Sequence, residues 1–289
     1  MIGTETPLGL IAGAGRLPGL IARGARAAGR SVVVVGLRGF ADGSLSQLSE
    51  AFCWAGLVRP GRWIRFLHRH GAREAVFAGA VRKANMYARW RLLRFVPDLR
   101  AIRVWYFRAR HDKRDNAVLR AVAAELESEG IRVMSSVEFC PEHLAGVGPM
   151  TRTPVPRSCQ ADVSFGFQIA RRSAALDIGQ AVAVKERDII AVEAMEGTDA
   201  MIRRAGRLCR NRGWTLAKVA RPNQDMRFDV PTVGPETIRR LKDAGAACLV
   251  LEAGKTLILD RPETIALADR LGIAVVGRRA EDEAAPEAH

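Results

Sequence analysis

A chain of 289 residues, 48% of them hydrophobic, has the length for one large or two small domains with buried cores. No apolar run reaches the roughly 20 residues that cross a bilayer. The opening MIGTETPLGLIAG lacks the basic stretch of a secretory leader, so neither a membrane-spanning nor an exported protein is expected. The net charge of +14 favours an anionic partner, whether nucleic acid, phosphorylated metabolite or acidic membrane, without choosing among them. The cysteines Cys53, Cys140, Cys159, Cys209 and Cys248 are scattered and never form a CxxC pair, which points to a reducing cytosol and away from zinc.

Leu8–Ala12 is an apolar run ending in Gly13-Ala14-Gly15-Arg16-Leu17-Pro18, followed by a helical pattern to Ala28 and the strand-like Ser31–Gly36. Strand, glycine turn, helix and strand read as a βαβ unit with a parallel sheet. A glycine turn at a helix start suits phosphate, because backbone N–H groups point there. It is not a dinucleotide fingerprint: the pattern is G-x-G-x-x-P, and Gly36-Leu37-Arg38 stands where an acid should end the second strand. A turn that binds nothing is the competing reading. Two more βα units follow, with strands Ala51–Ala55 and Glu74–Ala78 around a helix at Gly61–His70; Gly79, then Arg82 and Lys83, lie beyond the second of these strands.

Arg82–Arg120 interleaves arginines with Tyr87, Trp90, Phe95, Trp105, Tyr106 and Phe107. That mixture suits single-stranded nucleic acid, an anionic membrane surface, or an amphipathic helical pair whose arginines are solvated. Asn116–Gly130 is an amphipathic helix with a glycine stop, and Ile131–Met134 a strand. Four prolines in Pro141–Pro156 place a domain boundary near residue 138, giving domains 1–137 and 138–277 and a disordered tail 278–289.

The second half opens with a helix at Ala161–Ala175. Strands Ala181–Lys185 and Asp188–Glu193 form a hairpin through Glu186-Arg187, and a helix runs from Ala200 to Asn211 with Thr198 or Asp199 as N-cap. Glu193, Glu196 and Asp199 put three carboxylates at one strand-to-helix corner. Hard oxygen ligands of that kind suit Mg²⁺. Trp214–Ala220 reads as a strand, and Pro235 as a first helical residue. The Arg221–Gly234 loop between them (RPNQDMRFDVPTVG) carries Arg221, Asn223, Gln224, Asp225, Arg227 and Asp229, a density of polar groups that makes it the leading candidate for chemistry. A helix to Lys242, strands Ala247–Glu252 and Leu257–Asp260, a helix Pro262–Leu271 and a strand Ile273–Val276 finish the fold. The whole is α/β, a Rossmann-like parallel-sheet domain followed by a mixed α/β domain.

Four stretches, LGLIAGAGRLP (Leu8–Pro18), LDIGQAVAV (Leu176–Val184), AVEAMEGTDAMIRRAG (Ala191–Gly206) and KVARPNQDMRFDVPTVG (Lys218–Gly234), resemble the LpxI type of UDP-2,3-diacylglucosamine pyrophosphatase. The resemblance implies Mg²⁺-dependent cleavage of UDP-2,3-diacylglucosamine to UMP and 2,3-diacylglucosamine 1-phosphate (lipid X) in lipid A synthesis. It also implies two domains with the lipid product between them, a homodimer, work at the inner face of the inner membrane, and no nucleic-acid partner. It makes Asp229, in the pattern D-x-P-T-x-G, the essential acid. The chain departs from the family pattern at Arg221, at Ala84 and at His111–Asp115, where a glycine–aspartate–aspartate is usual.

Pyrophosphate hydrolysis needs neutralised phosphate charge, an aimed water and a metal. Asp229 is expected as metal ligand rather than base, because a carboxylate beside arginines holds its charge too firmly to accept protons well. Glu193, Glu196 and Asp199 are the further metal-ligand candidates. Lys218, Arg221 and Arg227 are expected on phosphate oxygens, as are the backbone N–H groups of Gly13 and Gly15, with Ala12 and Gly79 among the substrate contacts. Asp177, Gly179, Gln180, Thr198, Gln224 and Thr232 complete the expected substrate contacts. The rival readings are a hydrolase of another nucleotide–sugar pyrophosphate and a non-catalytic nucleotide- or RNA-binding protein.

Overall fold

The computed structural model describes residues 6–81, 97–104, 115–222, 224–228, 230–279 and 281. It divides into two compact units, one of Met1–Pro141 with Asp225–Asp229 and one of Glu142–Gln224 with Val230–His289. This division falls at Pro141, close to the boundary expected near residue 138, and assigns a short internal segment to the first unit. The 278–289 tail, apart from Arg278, Arg279 and Glu281, lies outside the described residues, as does most of the aromatic–arginine stretch.

In the first unit β1 (Leu8–Ala12), β2 (Val32–Leu37), β3 (Ala51–Ala55), β4 (Glu74–Ala78) and β5 (Arg132–Val133) form one sheet in the order β3-β2-β1-β4-β5. Every pairing is parallel. This is the Rossmann-like arrangement expected, and it follows from valine-rich runs that suit a sheet covered on both faces. The helices are α1 (Leu17–Ala27), α2 (Pro60–Arg69), α3 (Leu99–Val104) and α4 (Asp115–Ser128). One sheet face, with Ile11, Val33, Val35 and Ala75, packs on Trp63, Ile64 and Leu67 of α2 and on Ala123 and Leu126 of α4. The alternate residues Leu8, Leu10, Val32 and Val34 are equally buried and face the other way, toward α1.

The segment Asp225–Phe228 is part of this unit. The Phe228 ring packs edge-on against Phe77, centroids 5.6 Å apart. The Met226 carbonyl accepts the Ser135 hydroxyl at 3.0 Å.

The second unit contains β6 (Gly148–Pro149), α5 (Gln160–Ala175), β7 (Ala181–Lys185), β8 (Asp188–Val192), α6 (Thr198–Leu208), β9 (Trp214–Lys218), β10 (Thr232–Val233), α7 (Pro235–Ala244), β11 (Ala246–Glu252), β12 (Leu257–Ile258), α8 (Arg261–Leu271) and β13 (Ala274–Arg278). Its main sheet runs β6-β13-β11-β9-β7-β8. The β9, β11 and β13 strands are parallel, while β7 runs antiparallel to both β8 and β9. Valines 182, 184, 219 and 250 pack on Val163, Phe167 and Ala170 of α5. On the other face Ala181, Ala183, Leu216 and Leu249 meet α6, α7 and α8.

The β7–β8 hairpin turns through Glu186 and Arg187, both at positive φ (53° and 64°). Such a turn favours Asn-Gly. The strain is offset by the buried carboxylate of Asp162 on α5, which accepts the Glu186 N–H at 3.0 Å and the Arg187 N–H at 2.8 Å. Among the described residues no helix is long and apolar enough to cross a membrane.

Candidate active site

In the first unit the glycine turn is stitched shut. The Gly13 N–H donates to Ala78 O at 2.7 Å, and Ala14 and Ala80 exchange two further bonds at 2.9 and 2.8 Å. The ends of β1 and β4 thus stay paired beyond the strands proper. The amide of Gly13 is engaged within the fold, contrary to the expectation that it serves a phosphate. Ala12 is buried in β1, beside Ala78 and Gly36. Gly79 sits at φ 88°, and a side chain there would meet Ala14 O at 2.6 Å. Gly15, at φ 99°, has open space around the place of a Cβ.

Arg227 is likewise committed elsewhere than expected. Its Nε and Nη2 donate to the two oxygens of Asp225 at 2.9 and 2.8 Å, and its Nη1 to Glu127 at 2.9 Å. The hydrogen bonds from Arg227 outweigh burial and hold the Asp225 carboxyl below its ordinary range. A bidentate fork already filled by a carboxylate fixes the loop rather than gripping phosphate.

The second unit gathers most of the remaining candidates where β7 begins and β8 and β9 end. Ala181 is opposite Lys218 on one side, and its carbonyl accepts the Glu193 N–H at 2.8 Å on the other. Glu193 and Lys218 therefore flank one residue on the α6 face of the sheet. Lys218 is 6% exposed; its Nζ donates to Thr198 Oγ1 at 3.3 Å and to Thr232 O at 3.0 Å. Thr198 in turn donates to Glu193 Oε1 at 2.8 Å. The Thr232 hydroxyl closes its own turn on Val230 O at 2.8 Å.

A second group lies at the start of the polar loop. Arg221 Nε stands 3.4 Å from Asp177 Oδ1, and Gln224 Oε1 accepts the Arg221 N–H at 2.8 Å. Gln180 gives its backbone carbonyl to the Val219 N–H at 2.9 Å, while its Oε1 is buried without a partner. Gly179 lies against the backbone of Glu193: a Cβ there would stand 1.9 Å from Glu193 O. Gly179→Ala should therefore cost about 1–3 kcal/mol of stability through forced displacement. A thermal melt checks it, and an unchanged midpoint would contradict the tight approach.

The carboxylate corner does not assemble as expected. Glu196 accepts from Arg204 at 2.5 Å, and its own backbone N–H together with that arginine holds its carboxyl below the ordinary range. Asp199 pairs with Arg240 of α7. The cap of α6 is Gly197, which has no side chain to cap with; Thr198 and Asp199, expected as caps, lie inside the helix and turn to Glu193 and Arg240. Among the described residues no group of three His, Cys, Asp or Glu side chains is placed to hold a metal. Glu193, Glu196 and Asp199 each bind a different group, which removes them as a ready-made metal trio. Asp229 and Asn223 lie outside the described residues.

Family models decide the kinship. The description "LpxI N-terminal domain" matches residues 7–143 and "LpxI C-terminal domain" residues 146–276. The chain belongs to the LpxI family. A curated relative from Caulobacter vibrioides, named UDP-2,3-diacylglucosamine pyrophosphatase LpxI, is 39% identical over 281 residues, covering 93% of this chain and 96% of that protein. The resemblance carried by the four sequence motifs and the α/β class both hold for this LpxI chain.

Sequence reading overlooked Glu252, at the end of β11. It is 2% exposed; its Oε2 accepts the Ala220 N–H at 2.8 Å and its Oε1 pairs with Lys255 at 2.8 Å. In this LpxI chain it fixes the backbone where the polar loop leaves β9. The available signal was an acid closing an otherwise apolar strand, LVLE.

Proposed function

We propose that this protein hydrolyses the pyrophosphate of UDP-2,3-diacylglucosamine to UMP and 2,3-diacylglucosamine 1-phosphate, in lipid A synthesis. The observation that carries the reading is the similarity to a curated pyrophosphatase, 39% identical across 93% of the chain and so spanning both family domains. Water adds to one phosphorus, the bridging P–O bond breaks, and two phosphate monoesters leave. The nearly buried Lys218 ammonium, fixed by Thr198 and Thr232, offers a cation for phosphate charge at the carboxyl end of a parallel strand, where open α/β sheets bind ligands. Arg221 supplies a second, partly exposed cation.

Mg²⁺ belongs to this proposal. It holds one or two carboxylates, phosphate oxygens and water, so it does not need the three-acid cluster that the described residues lack. Asp229 is its proposed ligand. When bound, the ion would neutralise charge on the phosphate oxygens. Attachment to the inner face of the inner membrane is supported by the net charge of +14, which suits anionic lipid. The homodimer rests on the family resemblance alone.

Incubation with UDP-2,3-diacylglucosamine and Mg²⁺ should release UMP, read by nucleotide chromatography, and excess chelator should stop it. Folded protein that releases no UMP, yet binds RNA with a steep salt dependence, would replace this reading with the non-catalytic one.

A further inference from the structure

Glu193 carries an oxygen with nothing to bind. The residue is 7% exposed. Its Oε1 accepts from Thr198 at 2.8 Å, while its Oε2 is buried with no hydrogen-bond donor. A bare, buried carboxylate oxygen is costly, and it is held in place rather than turned away. Thr198 Oγ1 takes the Lys218 ammonium at 3.3 Å, which leaves its single proton directed at Glu193. The carboxylate is thereby oriented with its second oxygen unused.

A ligand that completes this site must bring a donor. A divalent ion would be repelled by the Lys218 ammonium, one hydroxyl away, and would find Glu196 and Asp199 already tied to Arg204 and Arg240. A neutral O–H meets neither obstacle. We infer that Glu193 Oε2 accepts a hydroxyl of the bound nucleotide–sugar, with Thr198 and Lys218 as its positioning residues. The inference rests on the proposed substrate for the identity of the hydroxyl. In a glucosamine acylated at positions 2 and 3 and linked through position 1, the free hydroxyls are at C4 and C6. The ribose of UDP offers the same chemistry.

Calorimetric binding, with chelator present so that nothing turns over, tests it on UDP-2,3-diacylglucosamine and on its 4-deoxy, 6-deoxy and 2′-deoxyribose forms. Wild type should bind one deoxy form about 10–100-fold more weakly than the parent, as for a lost hydrogen bond to a charged group. Glu193→Gln should bind the parent more weakly and no longer distinguish that form. Thr198→Val, which keeps the carboxylate but releases it, should show the same pattern more weakly and guards against a Glu193→Gln variant that fails to fold. Equal wild-type affinity for every form would overturn the inference. So would a Glu193→Gln variant that binds as wild type, since Oε2 then meets only water. A variant whose sole defect is a raised Mg²⁺ requirement in UMP release would make Glu193 a metal ligand and overturn it too. Wild type that discriminates but never hydrolyses leaves the subsite standing and removes the activity.

Discussion

Asp229→Ala should lower kcat for UMP release by roughly 10³-fold or more, with KM changed far less. The expectation rests on charge. Among the other candidate carboxylates, Glu196 and Asp199 are held by arginines, and Glu193 gives one oxygen to Thr198. Asp229 is the acid that the D-x-P-T-x-G pattern of the polar loop carries. Its chain neighbours are anchored: Phe228 by the Phe77 ring, and Pro231 through its carbonyl, which accepts the Leu257 N–H at 2.8 Å. A small side chain at 229 should therefore leave the loop and the melting temperature nearly as they were. Asp229→Asn, which keeps size and loses charge, should be nearly as inactive. If either variant kept activity within tenfold of wild type, the acid of the D-x-P-T-x-G motif would stand away from the chemistry.

Arg30→Met should destabilise the protein by about 3 kcal/mol, the cost of stripping one partner from a buried ion pair. Arg30 is almost wholly enclosed, 1% exposed. It donates to Glu74 Oε2 at 2.6 Å and to Thr6 O at 2.9 Å, while Arg132 takes Glu74 Oε1 at 2.6 Å. The substitution leaves two acceptors without their donor. At about 2–4 °C per kcal/mol the melting midpoint should fall by roughly 6–12 °C. Burial raises the Glu74 pKa, but hydrogen bonds and charge from Arg30 and Arg132 outweigh it and hold the carboxyl below its ordinary value. A carboxyl lowered in the folded state adds stability above its unfolded pKa and loses it as pH falls through the folded value. The gap between wild type and variant should thus be full at neutral pH and shrink in acid. A gap that widened on acidification would show that Glu74 is not what Arg30 serves.

Much of the fold was legible because its signals are local. Val32–Val35 suit only a buried strand, and the small residues after β1 and β4 mark turns. Pro235 marks the start of α7, and the charged pair Glu186-Arg187 between two apolar runs marked a hairpin. The site was legible only as an inventory. Sequence shows which groups a residue offers, but not which of several rivals captures it. Arg227 offered a fork to phosphate and gave it to Asp225 and Glu127. Asp199 offered a ligand and met Arg240, forty-one positions away. Gly13 offered an N–H and gave it to Ala78. Glu252 acts at Ala220, thirty-two positions away. These are contests settled by tertiary approach, and spacing along a chain does not contain them.

The first unit is also discontinuous in time. A ribosome delivers β1 to β5 in sequence, and all five strands exist once Val133 has been made. Yet Phe77 and Glu127 receive Phe228 and Arg227 only after β7, β8, α6 and β9 of the second unit have been synthesised. The nascent first unit must therefore wait with an aromatic ring and a carboxylate uncovered. A fragment ending at Pro141 would carry all five strands and lack the Phe228 ring against Phe77. The maturation of one unit is in this way timed by the translation of the other.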